Sequence, residues 1–161
     1  MPKGSGIGVS PKRREDIRFL TGLGQYTDDI SITGETYAVF ARSQVANGTI
    51  KSIDTSAAES MPGVLAVFIW DDFVDVGGNP AGWLINSRDG DPMKEPKRPV
   101  LGHGKVRYVG DAYAAVIAET AEQARDAAEA IDADIEELPA VVDMKSALEG
   151  GALVQLSLIH I

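Results

Sequence analysis

The side chains able to do acid–base or nucleophilic work are few and scattered. The chain has two histidines, His103 and His160, and no cysteine. That excludes a disulfide framework, a cysteine-ligated zinc or iron–sulfur site, and a His-rich metal centre within this chain. Asp28-Asp29 is a carboxylate pair. Neighbouring side chains of an extended segment point to opposite sides, so these two converge on one proton or metal only if a turn redirects them. Turn and cap hydrogen bonding is the better reading. His103 lies between Gly102 and Gly104, close to Lys105 and Arg107, with no nucleophile or orienting group nearby in sequence. It reads as a surface loop histidine; a hydrolase using His103 and an aspartate needs a pocket that joins them. No serine has a Gly-x-Ser-x-Gly setting, and no Asp-x-Asp-x-Asp-Gly calcium loop occurs. Gly4-Ser5-Gly6-Ile7-Gly8 has the glycine content of a phosphate-binding turn but no strand before it and no helix after it. Residue by residue, no active site is visible.

Composition narrows the classes further. The 161 residues carry a net charge of −9. An acidic chain is poorly suited to neutralising phosphates, so nucleic acid is not an expected partner. No apolar run approaches the ~20 residues of a membrane-spanning helix. Met1 to Gly6 has no apolar segment behind it, so no secretory signal is read and a cytoplasmic location is expected. The charge is uneven. Residues 1–20 hold Lys3, Lys12, Arg13, Arg14 and Arg18 against Glu15 and Asp16. Residues 119–149 hold ten acids against Arg125 and Lys145. Most of these side chains read as solvated faces, but opposite ends of opposite sign can also pair with each other or with partners.

The elements that must position these residues follow from pattern. The first ten residues read as an extended arm. Ser10 and Pro11 predict a short helical turn over 11–19. Residues 37–42 alternate as a strand, Asn47-Gly48 signals a tight turn, and 49–53 resumes an extended pattern. Asp54 or Thr55 is placed to cap a short helix over 56–60, ended by Pro62-Gly63. Residues 64–70 are continuously apolar, which predicts a strand buried on both faces. Residues 71–104 carry many turn-formers and read as a long irregular excursion; a loop of that length is functional or ordered by a partner. In it, Trp83, Leu84 and Ile85 must pack back on the core or face another surface. Residues 114–118 predict a second buried strand. Thr120 and Gln123 form a capping box for a helix over about 121–130, whose alanines at 121, 124, 127, 128 and 130 allow close packing on a sheet. Residues 131–136 alternate as a half-exposed strand ended by Leu138-Pro139, and Asp143 caps a last helix over 144–148. The order predicts an α+β or α/β domain with two similar units around the excursion.

Several strings together resemble one family. They are Arg14 through Asp29 (REDIRFLTGLGQYTDD), Ala41-Arg42-Ser43, Ile53 through Ala58, Met61-Pro62-Gly63-Val64, Lys105 through Asp111, Ala114 through Thr120, and Leu138 through Asp143. In order and spacing they resemble the start of the molybdenum hydroxylase large subunits. This is the xanthine dehydrogenase / aldehyde oxidase family, and the excursion text is most similar to the aerobic carbon monoxide dehydrogenase branch. Gln44-Val45-Ala46-Asn47-Gly48 and the Ala112 after Asp111 depart from the family pattern and mark a divergent member.

The resemblance implies an α+β fold: an α/β-hammerhead domain with a mixed sheet and short helices over residues 31–155, preceded by an extended N-terminal arm over residues 1–30. It implies that the chemistry lies downstream, on molybdenum-binding domains that carry molybdopterin cytosine dinucleotide or a related molybdenum cofactor. None of it is held by this fragment. Iron–sulfur clusters and FAD sit on partner subunits, in a dimer of heterotrimers. The substrate class is carbon monoxide, an aldehyde, a purine or an N-heterocycle. No catalytic, cofactor-binding or metal residue carries over, and the role left to this piece is structural, with Arg13, Arg14 and Arg18 as interface residues.

Residues 156–161 read Leu-Ser-Leu-Ile-His-Ile, the translation of a DNA string common to transposase-based sequencing adapters. They are expected to be a non-native tail, with the native frame continuing past about Gln155. The rival to the subunit reading is a free-standing acidic protein-interaction domain without catalysis.

Overall fold

The computed structural model describes residues 8, 13–79, 82, 83, 85, 86, 88–93 and 98–148. The readings made for Ser10, Pro11, Leu84, His160 and the 156–161 tail lie outside them. The chain divides into two compact units, residues 1–35 and 36–161.

In the first unit, helix α1 spans Asp16–Leu20. It is one turn and begins at Asp16, later than the start signal at Ser10-Pro11 predicts. Its end is set by Gly22 at φ +74°. Leu23 N–H donates to the Arg18 carbonyl (2.8 Å) and Gly22 N–H to that of Phe19 (3.1 Å). These two bonds close a Schellman motif, whose left-handed residue favours glycine. A turn of 3₁₀-helix at Thr27–Asp29 follows. The Phe19 and Tyr26 rings stack at 5.0 Å. Gly24 passes directly over the Phe19 ring, where a Cβ would collide.

The second unit contains two three-stranded sheets in which every pairing is antiparallel. Strands β1 (Tyr37–Arg42), β5 (Ala112–Ala118) and β3 (Val64–Ile69) form one, with β5 in the centre. Strands β4 (Lys105–Val106), β2 (Gly48–Asp54) and β6 (Asp132–Glu137) form the other, centred on β2. Helix α2 (Ser56–Glu59) joins β2 to β3, and α3 (Ala121–Glu129) joins β5 to β6. The two similar units are therefore β2-α2-β3 and β5-α3-β6. Each crosses from one sheet to the other, and β2/β6 and β3/β5 pairing ties them together. Helix α4 (Met144–Leu148) closes the described chain.

The core sits where α3 meets the first sheet. Ala124, Ala127 and Ala128 are the buried face of α3, packed against β1 and β5. Val116, opposite Val39 on one side and Val67 on the other, is fully buried, as is Ala58 of α2. The capping box forms as the sequence predicts: Gln123 N–H donates to Thr120 Oγ1 (3.2 Å) and Thr120 N–H to Gln123 Oε1 (3.1 Å). Gly63, at φ +80°, lies against the Gln123 side chain; an L side chain there would be strained and would push the Gln123 amide aside.

Three expectations are corrected. Strand β3 is not buried on both faces: it is the edge of its sheet, Leu65 is 54% exposed, and the register slips between Val64 and Ala66. Trp70 leaves the strand and opens a 3₁₀ turn, Trp70–Phe73. Asn47-Gly48 is not a turn that pairs β1 with β2, because those strands lie in different sheets. Gly48 opens β2 instead, where an added Cβ would come within 2.7 Å of Ile135 Cγ2 and 3.0 Å of the Glu136 carbonyl oxygen. Its lack of a side chain serves close strand packing, not positive φ.

The cap of α2 comes from Asp54. Its Oδ1 accepts from Ser56 N–H (2.9 Å) and Ser56 Oγ–H (2.6 Å). The hydroxyl bond first, then the amide bond, holds the carboxyl below its ordinary pKa. Asp143 is also lowered by Ser146, there by the amide bond first and then the hydroxyl bond. A depressed carboxylate contributes stability above its unfolded pKa and loses it as pH falls through the folded value. A carboxyl-detected NMR titration should therefore place Asp54 below the usual aspartate midpoint, and Ser56→Ala should move it up. In urea denaturation, Thr120→Ala should lower stability by about 1 kcal/mol. Gly48→Ala should lower it by about 1–3 kcal/mol, as expected for overpacking.

Candidate functional site

The residues singled out for chemistry are not brought together. Asp29 Oδ2 accepts from Tyr26 N–H at 2.8 Å, so its carboxylate closes the turn that carries it. His103 is exposed and packs its ring against Trp70 (centroids 5.1 Å apart). Among the described residues no carboxylate lies within hydrogen-bond or ion-pair distance of it, so the His103–aspartate pair that a hydrolase needs does not form. Asp111 is occupied elsewhere, accepting from Arg107 N–H (3.0 Å). Among the described residues no group of three or more His, Asp or Glu side chains is placed to hold a metal ion. The donor set of the described residues does not fit a metal group.

Arg13, Arg14 and Arg18 are exposed. Arg13 Nη2 lies 3.2 Å from Glu15 Oε1, and its Nε 3.7 Å from Asp16 Oδ1. The Arg18 guanidinium sits 5.2 Å from the centre of the Phe19 ring. Around them Ile17, Leu20 and Leu23 are exposed, Leu20 to 86%. In the excursion, Trp83 is 82% exposed and Ile85 is exposed as well. The two face away from the core. The excursion is held by single bridges, Gly78 with Pro99 and Asn86 with Pro92.

Two polar arrangements escaped the sequence reading. One is a buried latch between β1 and β2. Ser43 N–H donates to the Asp111 carbonyl (2.9 Å), Gly110 N–H to that of Ser43 (2.8 Å), and Arg42 Nη1 to that of Gly110 (2.9 Å). Asn47 is only 3% exposed; its Nδ2 donates to the Pro139 carbonyl (2.7 Å), and its backbone carbonyl accepts from Leu138 N–H (2.8 Å). The latch fixes two loops, 107–111 and 138–139, to one connection. The Asn-Gly signal thus marked an unusual asparagine, although not the turn it suggests. The other arrangement is a groove of about 350 Å³ along β1 and α3. Val39, Ala41, Ala128 and Ile131 supply apolar lining, and Phe40, Tyr113, Arg42, Gln44, Arg125 and Glu129 complete it. Burial, and then the Asp132 charge, raise the Tyr113 hydroxyl above the ordinary tyrosine pKa. The sequence signals for this groove are slight: Arg42 sits in the Ala-Arg-Ser string, and Arg125 is a rare base in an acidic stretch.

Comparison with known proteins defines the class. The family described as "Aldehyde oxidase and xanthine dehydrogenase, a/b hammerhead domain" matches residues 21–139. The chain belongs to this family. It is 37% identical over 146 residues to the nicotine 6-hydroxylase large subunit of Paenarthrobacter nicotinovorans, spanning 90% of this chain and 17% of that one. It is also 37% identical over 147 residues to the carbon monoxide dehydrogenase large chain of Afipia carboxidovorans, spanning 91% and 17%. The crystal structure of quinoline 2-oxidoreductase from Pseudomonas putida 86 superposes with a TM-score of 0.79 at 37% identity, covering 93% of this chain and 19% of that chain. The chain therefore spans less than a fifth of the length of these relatives, which are oxidoreductase subunits. Among the described residues no helix is long and apolar enough to cross a membrane.

The latch makes a stability prediction. Asn47→Ala removes the bond to the Pro139 carbonyl and should lower unfolding free energy by about 0.5–1.5 kcal/mol. Hydrogen exchange at Leu138 should rise in that variant, while exchange at Val116 tracks global unfolding only.

Proposed function

We propose that this chain is the N-terminal piece of the molybdopterin-binding subunit of an oxidoreductase that hydroxylates or oxidises a small substrate. The substrate class is carbon monoxide, an aldehyde, a purine or an N-heterocycle. When bound in the downstream domains, the molybdenum cofactor supplies the two-electron oxidation, with oxygen taken from water. The electrons leave through iron–sulfur clusters and FAD on partner subunits, in a cytoplasmic dimer of heterotrimers. The present residues are structural: an arm and a hammerhead domain that the rest of the subunit and its partners cover.

The observation that carries this reading is the exposed apolar surface. Ile17, Leu20, Leu23, Ile30 and Ile32 in the first unit, and Trp83 and Ile85 in the excursion, stand in solvent on a chain spanning 17% of its relatives' length. In each unit, large apolar side chains left in solvent are where a covering protein surface would make contact. Arg13, Arg14 and Arg18 add charge-assisted hydrogen bonds at that interface.

The test is assembly. Deleting residues 1–25 from the full-length subunit, co-expressed with the iron–sulfur and flavin subunits, should reduce the heterotrimer recovered by co-purification. Undiminished recovery overturns the interface role of the arm. A gene that stops near residue 155, with no neighbouring genes for a flavin subunit and a two-[2Fe–2S] subunit, overturns the subunit reading.

A further inference from the structure

The groove between β1 and α3 is the strongest feature the proposed function leaves unused. Its two cations come from different elements, Arg42 from the end of β1 and Arg125 from the second turn of α3. Among the described residues neither forms an ion pair, and Glu129, the one acid in the lining, is not within 4.0 Å of either. Arg42 uses Nη1 to hold the Gly110 carbonyl, and its guanidinium sits 5.4 Å from the centre of the Phe40 ring. That contact fixes the orientation of the group while leaving guanidinium donors over. Arg125 is exposed, and no hydrogen bond anchors it among the described residues.

Charge makes this placement informative. The chain carries 24 acids against 15 bases. Acids crowd the stretch around Arg125, yet the groove gathers two guanidiniums and one carboxylate. A groove lined by two arginines and one acid favours an anion, and a carboxylate is the planar group guanidinium donors match. The lining beside them is apolar and aromatic, with Phe40 exposed and Tyr113 half-buried. A volume of about 350 Å³ is at the lower end of that of a small-molecule pocket and takes one or two protein side chains.

We infer that this groove docks a segment of the same subunit from beyond these residues, in which an Asp or Glu carboxylate lies between Arg42 and Arg125 and an adjacent apolar side chain fills the Phe40–Ile131 face. The inference rests on the proposed function, because the occupant comes from the longer chain. Over four-fifths of the length of the matched relatives lies outside the span this chain covers, which supplies ample polypeptide for the groove.

Zero-length carbodiimide coupling tests this in the full-length subunit. Arg125→Lys keeps the cation and introduces an amine that this reagent joins to a neighbouring carboxylate. Peptide mapping should then reveal a crosslink from position 125 to an Asp or Glu beyond residue 155 of the same polypeptide. Replacing that acid by its amide should abolish the crosslink. Coupling only to acids within residues 36–148, or no coupling in a subunit that assembles normally, overturns the groove assignment and leaves the subunit reading standing. A crosslink to a partner subunit overturns the assignment of the occupant to the same chain. A gene that ends near residue 155 removes the subunit reading, and the groove inference with it. In the full-length subunit Arg125→Glu should lower the thermal midpoint and Arg125→Lys should leave it at the parent's value; an Arg125→Glu midpoint equal to the parent's overturns the proposal.

Discussion

The close approach of one helix to one sheet is the constraint on which the second unit depends. Ala124, Ala127 and Ala128 of α3 lie against β1 and β5, where Ala41, Ala114 and Val116 are buried. Methyl groups on both surfaces bring the backbones near enough for dense contact, and a well-packed interior gains its stability from many such small dispersion terms. Larger side chains would lift the helix off the sheet. The same closeness sets the path of the chain. With α3 so placed, β6 emerges beside β2, and Ile131 enters the same cluster. The second sheet then follows from the pairing of β2 with β6.

A fold assembled this way has a small core and a large remainder. The buried apolar side chains are mostly alanine and valine, and apart from Leu101 and Ile131 the bulky ones lie partly or fully outside. Tyr26, Trp83, Ile85, Leu20 and Leu23 would be expected inside a self-sufficient domain of this length. Their exposure matches the small share of its relatives that the chain spans. Polar fastenings carry much of the local order. Ser43 and Asn47 are the buried polar residues of the described chain, and both serve the latch between β1 and β2. One orphan remains in it, the buried Asn47 Oδ1.

Local signals were legible wherever one short segment contains all the interacting atoms. The Thr120–Gln123 capping box, the Asp143 cap, the alanine face of α3 and the alternation of β6 all take the form read from their residues. Asp29 behaves as a turn carboxylate for the same reason. The family was legible from ordered strings, although no single string would have been enough. The misreadings share a physical cause. Continuous hydrophobicity over 64–70 does not distinguish a central strand from an edge strand, because that depends on which strands pair on either side. The Asn-Gly dipeptide has a hairpin preference that is real but weak, and here it is overridden by the packing of Ile135 and the demand of the Pro139 carbonyl.

The sequence by itself determined helices α2, α3 and α4, their caps, the acidic balance, the absence of cysteine and the family, since each is written in residue type and short-range spacing. Only the tertiary structure decided that β2-α2-β3 and β5-α3-β6 each cross between two sheets. It alone assigned Gly48 to a crowded strand start and Asn47 to a latch 92 residues away along the chain. It also brought Arg42 and Arg125 to one groove. These are long-range facts. They depend on which surfaces meet once the core has formed, and no local propensity records the partner that a distant segment will supply.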